Sequence, residues 1–267
     1  MAHMRCDFFS DVLEMGTSVS VILPQAPREQ IGGPAPVHTT AEAPPVLYLL
    51  HGLSDDDTAW TRNTSIERYA AEHQVAVVMP RVERSFYHDE AHGQRFWTYL
   101  TEELPAVVAS FFRVSQARED TFVAGLSMGG YGALRWALSE PERFAAAASF
   151  SGVLDVAEPG LPEARADLYA TVFGSQPTAG TDSDLLHLLR TRVAAGTDLP
   201  ALRVTCGTED ALFSGNERFL AEARHLGVDV AVDLGPGDHE WGYWDAQVRA
   251  ALAWLPLAAD GDDGRVA

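Results

Sequence analysis

The stretch Thr121-Phe-Val-Ala-Gly125-Leu-Ser127-Met-Gly129-Gly-Tyr-Gly-Ala-Leu134 decides how the rest of the chain is read. Residues 121–124 are a strand candidate, and residues 128–139 carry the periodicity of a helix. Between them stands G-x-S-x-G. A serine there needs a sharp strand-to-helix turn that lifts its hydroxyl above a sheet, with glycines where side chains would collide. The pattern alone is short enough to occur by chance. The strand before it and the helix after it make it specific, and a glycine-rich turn with an idle serine is the weaker reading.

Working outward, Val46-Leu-Tyr-Leu-Leu50 is a continuous apolar run of the kind buried on both faces of a parallel sheet. Residues 75–79, 145–150, 201–206 and 228–234 read as further strands. Residues 65–73, 98–112, 184–194, 214–226 and 243–254 read as helices. Strand and helix alternate, so the fold class expected is α/β, a mostly parallel sheet with right-handed crossovers and helices on both faces. Residues 17–23 read as an edge strand closed by Pro24. Residues 25–45, rich in Pro, Gly and Ala, read as a long surface loop. Residues 154–183 break the rhythm with Pro, Gly and Asp and are expected to form a small cap over the carboxyl edge of the sheet. One domain over residues 5–257 is expected, with residues 258–267 a flexible acidic tail.

Composition narrows the chemistry. The 267 residues carry 38 acids against 19 bases, a formal charge of −19. All 19 bases are arginine. Without lysine there is no Schiff-base or pyridoxal-phosphate chemistry and no lysine-bearing phosphate loop. The acidic balance argues against nucleic acid and anionic lipid as partners. No apolar run reaches the roughly 18 residues of a membrane span, and no signal peptide is visible after Arg5. Cys6 and Cys206 read as reduced thiols, and the expected location is cytoplasmic.

A serine hydroxyl needs a base, and the base needs an orienting carboxylate. After an elbow of this kind the chain order is serine, acid, histidine, so both partners lie beyond position 127. His187 and His225 fall inside helical patterns. His239, in Gly235-Pro-Gly-Asp-His-Glu-Trp-Gly242, follows the last strand, where a loop can reach the serine, and is the expected base. For the acid, Glu209 and Asp210 follow the penultimate strand, with Asp155 a weaker third candidate. Asp238 and Glu240 stand too near the histidine to orient its ring and read as solvated. An oxyanion needs two backbone donors already in place. The expected donors are the amide of Met128 and, after Leu50-His51-Gly52, the amide of Leu53. His51 precedes the serine and reads as a loop-shaping residue.

Two other patterns mislead. Asp89-Glu-Ala-His92 spells a helicase box, but there is no phosphate loop for it to serve. His88 and His92 are spaced like ligands on a zinc-binding helix, yet Gly93 follows and the glutamate of H-E-x-x-H is missing. Both are expected to be solvated loop. Trp60, Phe86, Tyr87, Phe96, Trp97, Trp241 and Trp244 crowd the expected carboxyl edge, where each could line a pocket or pack a helix.

Taken together, L-L-H-G-L-S from Leu49, G-L-S-M-G-G-Y-G-A-L from Gly125, C-G-T-E-D from Cys206 and G-D-H-E-W-G-Y-W-D from Gly237 resemble the esterase D (putative esterase) family of α/β-hydrolases. The likeness is strongest to its tributyrin-esterase-like and feruloyl-esterase-like short-chain carboxylesterases, and it runs from about Phe8 to Trp254. It implies a serine carboxylesterase with Ser127 as nucleophile, Asp210 as acid, His239 as base, and Leu53 and Met128 as oxyanion donors. It also implies a small-molecule ester as substrate, no cofactor and no metal, and it leaves a homo-oligomer open. S-formylglutathione hydrolase, a sibling with the same triad, usually carries a cysteine shortly after the oxyanion glycine, and Leu53-Ser-Asp-Asp-Asp57 has none. Feruloyl or acetyl esterase, acyltransferase and an inactive scaffold are the remaining alternatives.

Overall fold

The computed structural model describes residues 1–25, 43–158, 160–175 and 177–257. Most of the loop expected at 25–45, and the tail expected at 258–267, lie outside the described residues. Eight strands form one sheet: β1 (Ala2–Ser10), β2 (Met15–Leu23), β3 (Val46–Leu50), β4 (Ala76–Pro80), β5 (Thr121–Leu126), β6 (Ala146–Phe150), β7 (Ala201–Gly207) and β8 (Val230–Gly235). Their spatial order is β1-β2-β4-β3-β5-β6-β7-β8. The β1–β2 and β2–β4 pairs are antiparallel and the remaining pairs parallel. This is the expected α/β-hydrolase architecture.

One expectation is corrected. β2 is not an edge strand, because β1 pairs along its full length, from Ala2 opposite Leu23 to Ser10 opposite Met15. The sheet therefore begins at Ala2, ahead of Arg5. Most of β1 is exposed or half-buried, so its sequence carries little hydrophobic alternation and gives no strand signal.

The helices are α1 (Ala59–Asn63), α2 (Ile66–Glu72), α3 (Phe96–Thr98), α4 (Leu104–Phe111), α5 (Met128–Ser139), α6 (Leu161–Ala164), α7 (Ala166–Phe173), α8 (Leu185–Ala194), α9 (Phe213–His225) and α10 (Trp241–Trp254). A π-helical turn, Tyr99–Glu103, joins α3 to α4. Two apolar clusters cover the two faces of the sheet, as the period-2 geometry of strands requires. Val46, Tyr48 and Leu50 of β3 pack with α4, α5, α8 and α9. Leu47 and Leu49 of the same strand pack with α1, α2 and α10. In α5 every residue from Met128 to Leu138 is buried, Arg135 with its guanidinium donating to the Tyr87 carbonyl. The interruption between β6 and α8 carries α6 and α7. No helix among the described residues is long and apolar enough to cross a membrane.

Candidate active site

β5 ends at Leu126 and α5 begins at Met128, so Ser127 alone makes the turn between them. Its backbone stands at φ 53, ψ −117, a conformation costing roughly 1–3 kcal/mol for a residue with a Cβ. The surroundings enforce it. The Ser127 N–H donates to the Phe150 carbonyl at 2.9 Å, and its own carbonyl accepts from Tyr131 at 3.1 Å and Val153 at 3.2 Å. The flanking glycines let backbones touch. A Cβ on Gly125 would sit 2.4 Å from the Gly129 oxygen, and one on Gly129 would sit 2.4 Å from the Leu50 oxygen.

His239 reaches the serine from the loop between β8 and α10. Its Nε2 lies 3.1 Å from Ser127 Oγ, and its Nδ1 lies 2.8 Å from Asp210 Oδ2. An ionised carboxylate only accepts, so Nδ1 carries the proton and Nε2 is left to accept from the serine. The Asp210 side chain is fully buried, and Oδ1 also accepts from the Leu212 N–H at 2.8 Å. Burial opposes its charge, but the hydrogen bonds from His239 and Leu212 outweigh this and hold its carboxyl below the ordinary aspartate range. Trp244 sets its ring edge-on to the imidazole, with centroids 4.8 Å apart.

The other acid candidates have different partners. Glu209 Oε2 accepts from the Gly237 N–H at 2.6 Å, and the Glu209 N–H donates to the Gly237 carbonyl at 3.1 Å. That backbone hydrogen bond, with a second from the Thr208 hydroxyl, lowers its pKa. It clamps the histidine loop without touching the imidazole, a role the sequence reading did not assign. Asp155 pairs with Arg218 at 2.8 Å. His187 lies in α8 and His225 ends α9.

Leu53 and Met128 line one pocket with Ser127, Asp210 and His239; its volume is about 760 Å³. Met128 opens α5, so its N–H has no helical carbonyl one turn back. His51 shapes the opposite side. Its Nδ1 lies 2.7 Å from the Gly52 carbonyl, and its Nε2 accepts from the Val82 N–H at 3.1 Å. Burial lowers the pKa of this imidazole from its usual value. Of the aromatic residues singled out, Phe86, Trp241 and Trp244 line the pocket, and Tyr169 joins them from α7. Trp60 is fully buried and donates to the Leu50 carbonyl at 3.1 Å. Tyr87 is buried below, Phe96 lines a separate cleft, and Trp97 stacks under Arg135 with 3.8 Å to its centroid.

Within the segment 88–92, Asp89, Ala91 and His92 are exposed, as expected of a solvated loop, and His88 departs. It packs against Phe173 with centroids 4.9 Å apart and hydrogen-bonds Tyr131 Oη at 3.2 Å. Burial and the nearby Arg135 charge push its pKa well down. The backbone of α7 also holds the loop, its Thr171 and Val172 carbonyls accepting from His92 and Ala91. Among the described residues no group of three or more His, Cys, Asp or Glu side chains could hold a metal ion.

A family model described as "Putative esterase" matches residues 20–255. An acetyl esterase of Caldicellulosiruptor saccharolyticus is 30% identical over 270 residues, covering 97% of this chain and 100% of that protein. The substrate-bound structure of fluorophosphonate-binding serine hydrolase F of Staphylococcus aureus is 34% identical, with a TM-score of 0.85, covering 96% of this chain and 99% of that one. The structure of an S-formylglutathione hydrolase from the same organism is 33% identical, with a TM-score of 0.82 and the same coverage.

Proposed function

Because this chain belongs to the putative esterase family, we propose that it cleaves short-chain acyl esters through an acyl-enzyme on Ser127. It is a carboxylic ester hydrolase of the serine type. The observation that carries the residue assignment is the unbroken line Ser127 Oγ, His239 Nε2, His239 Nδ1, Asp210 Oδ2, with gaps of 3.1 and 2.8 Å, at the floor of a pocket lined largely by apolar side chains.

His239 Nε2 takes the serine proton as Oγ bonds to the ester carbonyl carbon. The carbonyl oxygen becomes an oxyanion, held by the amides of Leu53 and Met128. As the intermediate collapses, the C–O bond to the alcohol breaks and the alcohol leaves with the proton from Nε2. Water, deprotonated by the same nitrogen, attacks the acyl-enzyme; the Oγ–carbonyl bond then breaks, Oγ takes the proton back from Nε2, and the acid is released. Asp210 stays ionised and holds the tautomer in which Nε2 is free to accept. Residues 154–183 are proposed as a cap, since Leu161, Ala164, Arg165 and Tyr169 line the pocket from that insertion, and residues 5–257 as one domain. The proposed location is the cytoplasm, supported by two free thiols, Cys6 and Cys206.

The test is turnover of p-nitrophenyl esters from acetate to laurate, with Ser127→Ala beside the wild type. Activity highest on short chains and lost in the variant is expected. Equal inertness of the two proteins across the panel would sink the reading. A second reading, thioester hydrolysis, is favoured by the likeness to the S-formylglutathione hydrolase. It uses the same machinery, so S-formylglutathione belongs in the panel.

A further inference from the structure

We propose that Tyr87 is a positioning residue for oxyanion stabilisation, its buried hydroxyl locking the strand end that leads to the Leu53 amide onto the helix start that carries the Met128 amide. The inference rests on the reading of Leu53 and Met128 as the oxyanion donors.

The first observation is conformational. Phe86 and Tyr87 stand at φ 50 and φ 54, two consecutive residues with side chains in the left-handed region. Strain of this sort persists only where the surroundings over-determine it, and it clusters at functional sites. Here it divides the two rings. Phe86 lines the pocket, while Tyr87 is fully buried.

Tyr87 is then fixed at four points. Its N–H donates to Ser85 Oγ at 3.1 Å. Its carbonyl accepts from Arg135 Nη1 of α5 at 2.6 Å. Its ring lies against Gly132 of α5, where a Cβ would come within 2.5 Å of ring Cδ2. Its hydroxyl donates to the His51 carbonyl at 2.8 Å. Two of these four anchors belong to α5, and the last belongs to the segment just after β3.

The His51 carbonyl is the point where the two halves of the oxyanion site meet. A Cβ on Gly129 would sit 2.7 Å from it, so the first turn of α5 closes one side and the Tyr87 hydroxyl closes another. The imidazole of His51 carries the constraint forward. Its Nδ1 lies 2.7 Å from the Gly52 carbonyl, and that carbonyl belongs to the peptide whose N–H is Leu53. Tyr87 thus sets the His51–Gly52 peptide, and His51 sets the Gly52–Leu53 peptide. Donors that are already aimed when charge develops need no reorganisation at the moment of reaction. Removing the hydroxyl leaves the His51 carbonyl without this donor and lets the peptide plane rock.

Packing and positioning roles separate in kinetics. The experiment compares Tyr87→Phe with the wild type on a short p-nitrophenyl ester, measures melting temperature, and measures inhibition by an alkyl boronic acid. Its tetrahedral adduct with Ser127 puts an oxygen into the oxyanion site. A folded variant with kcat reduced about tenfold, KM within about twofold, and boronate affinity weakened by the same factor as kcat is expected; outright loss of one donor costs more, about 10²–10³. Unchanged kcat and boronate affinity would overturn the proposal, as would a kcat regained on cooling with a lowered melting temperature. If Tyr87→Phe does not fold, Gly132→Ala keeps the hydroxyl and displaces the ring. The same paired loss is expected there, and its absence overturns the proposal. A wild type inert to both ester and boronate would instead overturn the ester-hydrolase reading, and this inference with it.

Discussion

Glu209 and Asp210 are adjacent in sequence, yet their carboxylates hold different atoms of one loop. Glu209 grips the Gly237 N–H at 2.6 Å and Asp210 grips His239 Nδ1 at 2.8 Å. The first shapes the loop and the second orients the ring. Asp210→Asn is therefore expected to lower kcat/KM by about 10⁴, the scale seen when a triad aspartate is lost. Glu209→Ala should cost tenfold or less, through a looser loop. A loss below tenfold for Asp210→Asn would move the acid elsewhere.

Gly129 has no room for a methyl group, since a Cβ would press on the Leu50 and His51 oxygens at 2.4 and 2.7 Å. Both obstacles are backbone. Gly129→Ala should cost about 3 kcal/mol or more, the upper range for overpacking, and activity should fall with stability. Urea unfolding with a midpoint like the wild type's would contradict this.

Two imidazoles, His51 buried and His88 half-buried, oppose acid. Burial lowers the pKa of His51, and burial together with Arg135 lowers that of His88 further. The folded state therefore disfavours the charged form of each. Above the free-imidazole value of about 6.5 the unfolded chain is neutral there too, so neither group makes stability pH-dependent. Below it the unfolded chain takes up protons that the folded one refuses, and stability falls as pH drops. Each histidine contributes up to about 1.4 kcal/mol per pH unit until its folded pKa is reached. Denaturation curves between pH 7 and 5 should show this slope, and His88→Gln should reduce it. An identical slope in the variant would remove His88 from the account.

Asp57 ties the loop after β3 to the sheet. Its carboxylate is buried and accepts from Ser18 Oγ at 2.9 Å and Ser20 Oγ at 2.8 Å, with Arg5 Nε at 3.3 Å. Asp57→Ala removes the acceptor of two buried hydroxyls, of which Ser18 keeps Arg5 as a donor, and should cost about 2–3 kcal/mol. Calorimetry showing a melting temperature equal to the wild type's would contradict it.

The site was legible in the sequence wherever local chemistry dictates local shape. A serine between two glycines, with a strand before and a helix after, has few conformations open to it. α5 accordingly spans the residues expected, 128–139. His239 stood out as the candidate because chain order left three histidines and two fell inside helical patterns, and the structure places it beside Ser127. Glu209 and Asp210 were not separable by pattern, because both follow β7 and only the turn decides which carboxylate points inward. β1 was illegible for a different reason. Its partner β2 supplies the hydrogen bonds, while its side chains stay largely in water. His88 is half-buried because its ring meets Phe173 of α7, some 80 residues away in sequence, and that contact leaves no mark on residues 88–92 themselves.

The burial of α5 on every side has a consequence for how this protein fails. A helix enclosed by sheet and neighbouring helices has no local route to solvent, so its hydrogen-bonded amides beyond the first turn exchange only when the whole domain opens. Ser127 therefore stands at the entrance to the part of the molecule that lets go last. Loss of turnover on heating reports the fraction of chains that have opened altogether, and activity and global unfolding should share one midpoint.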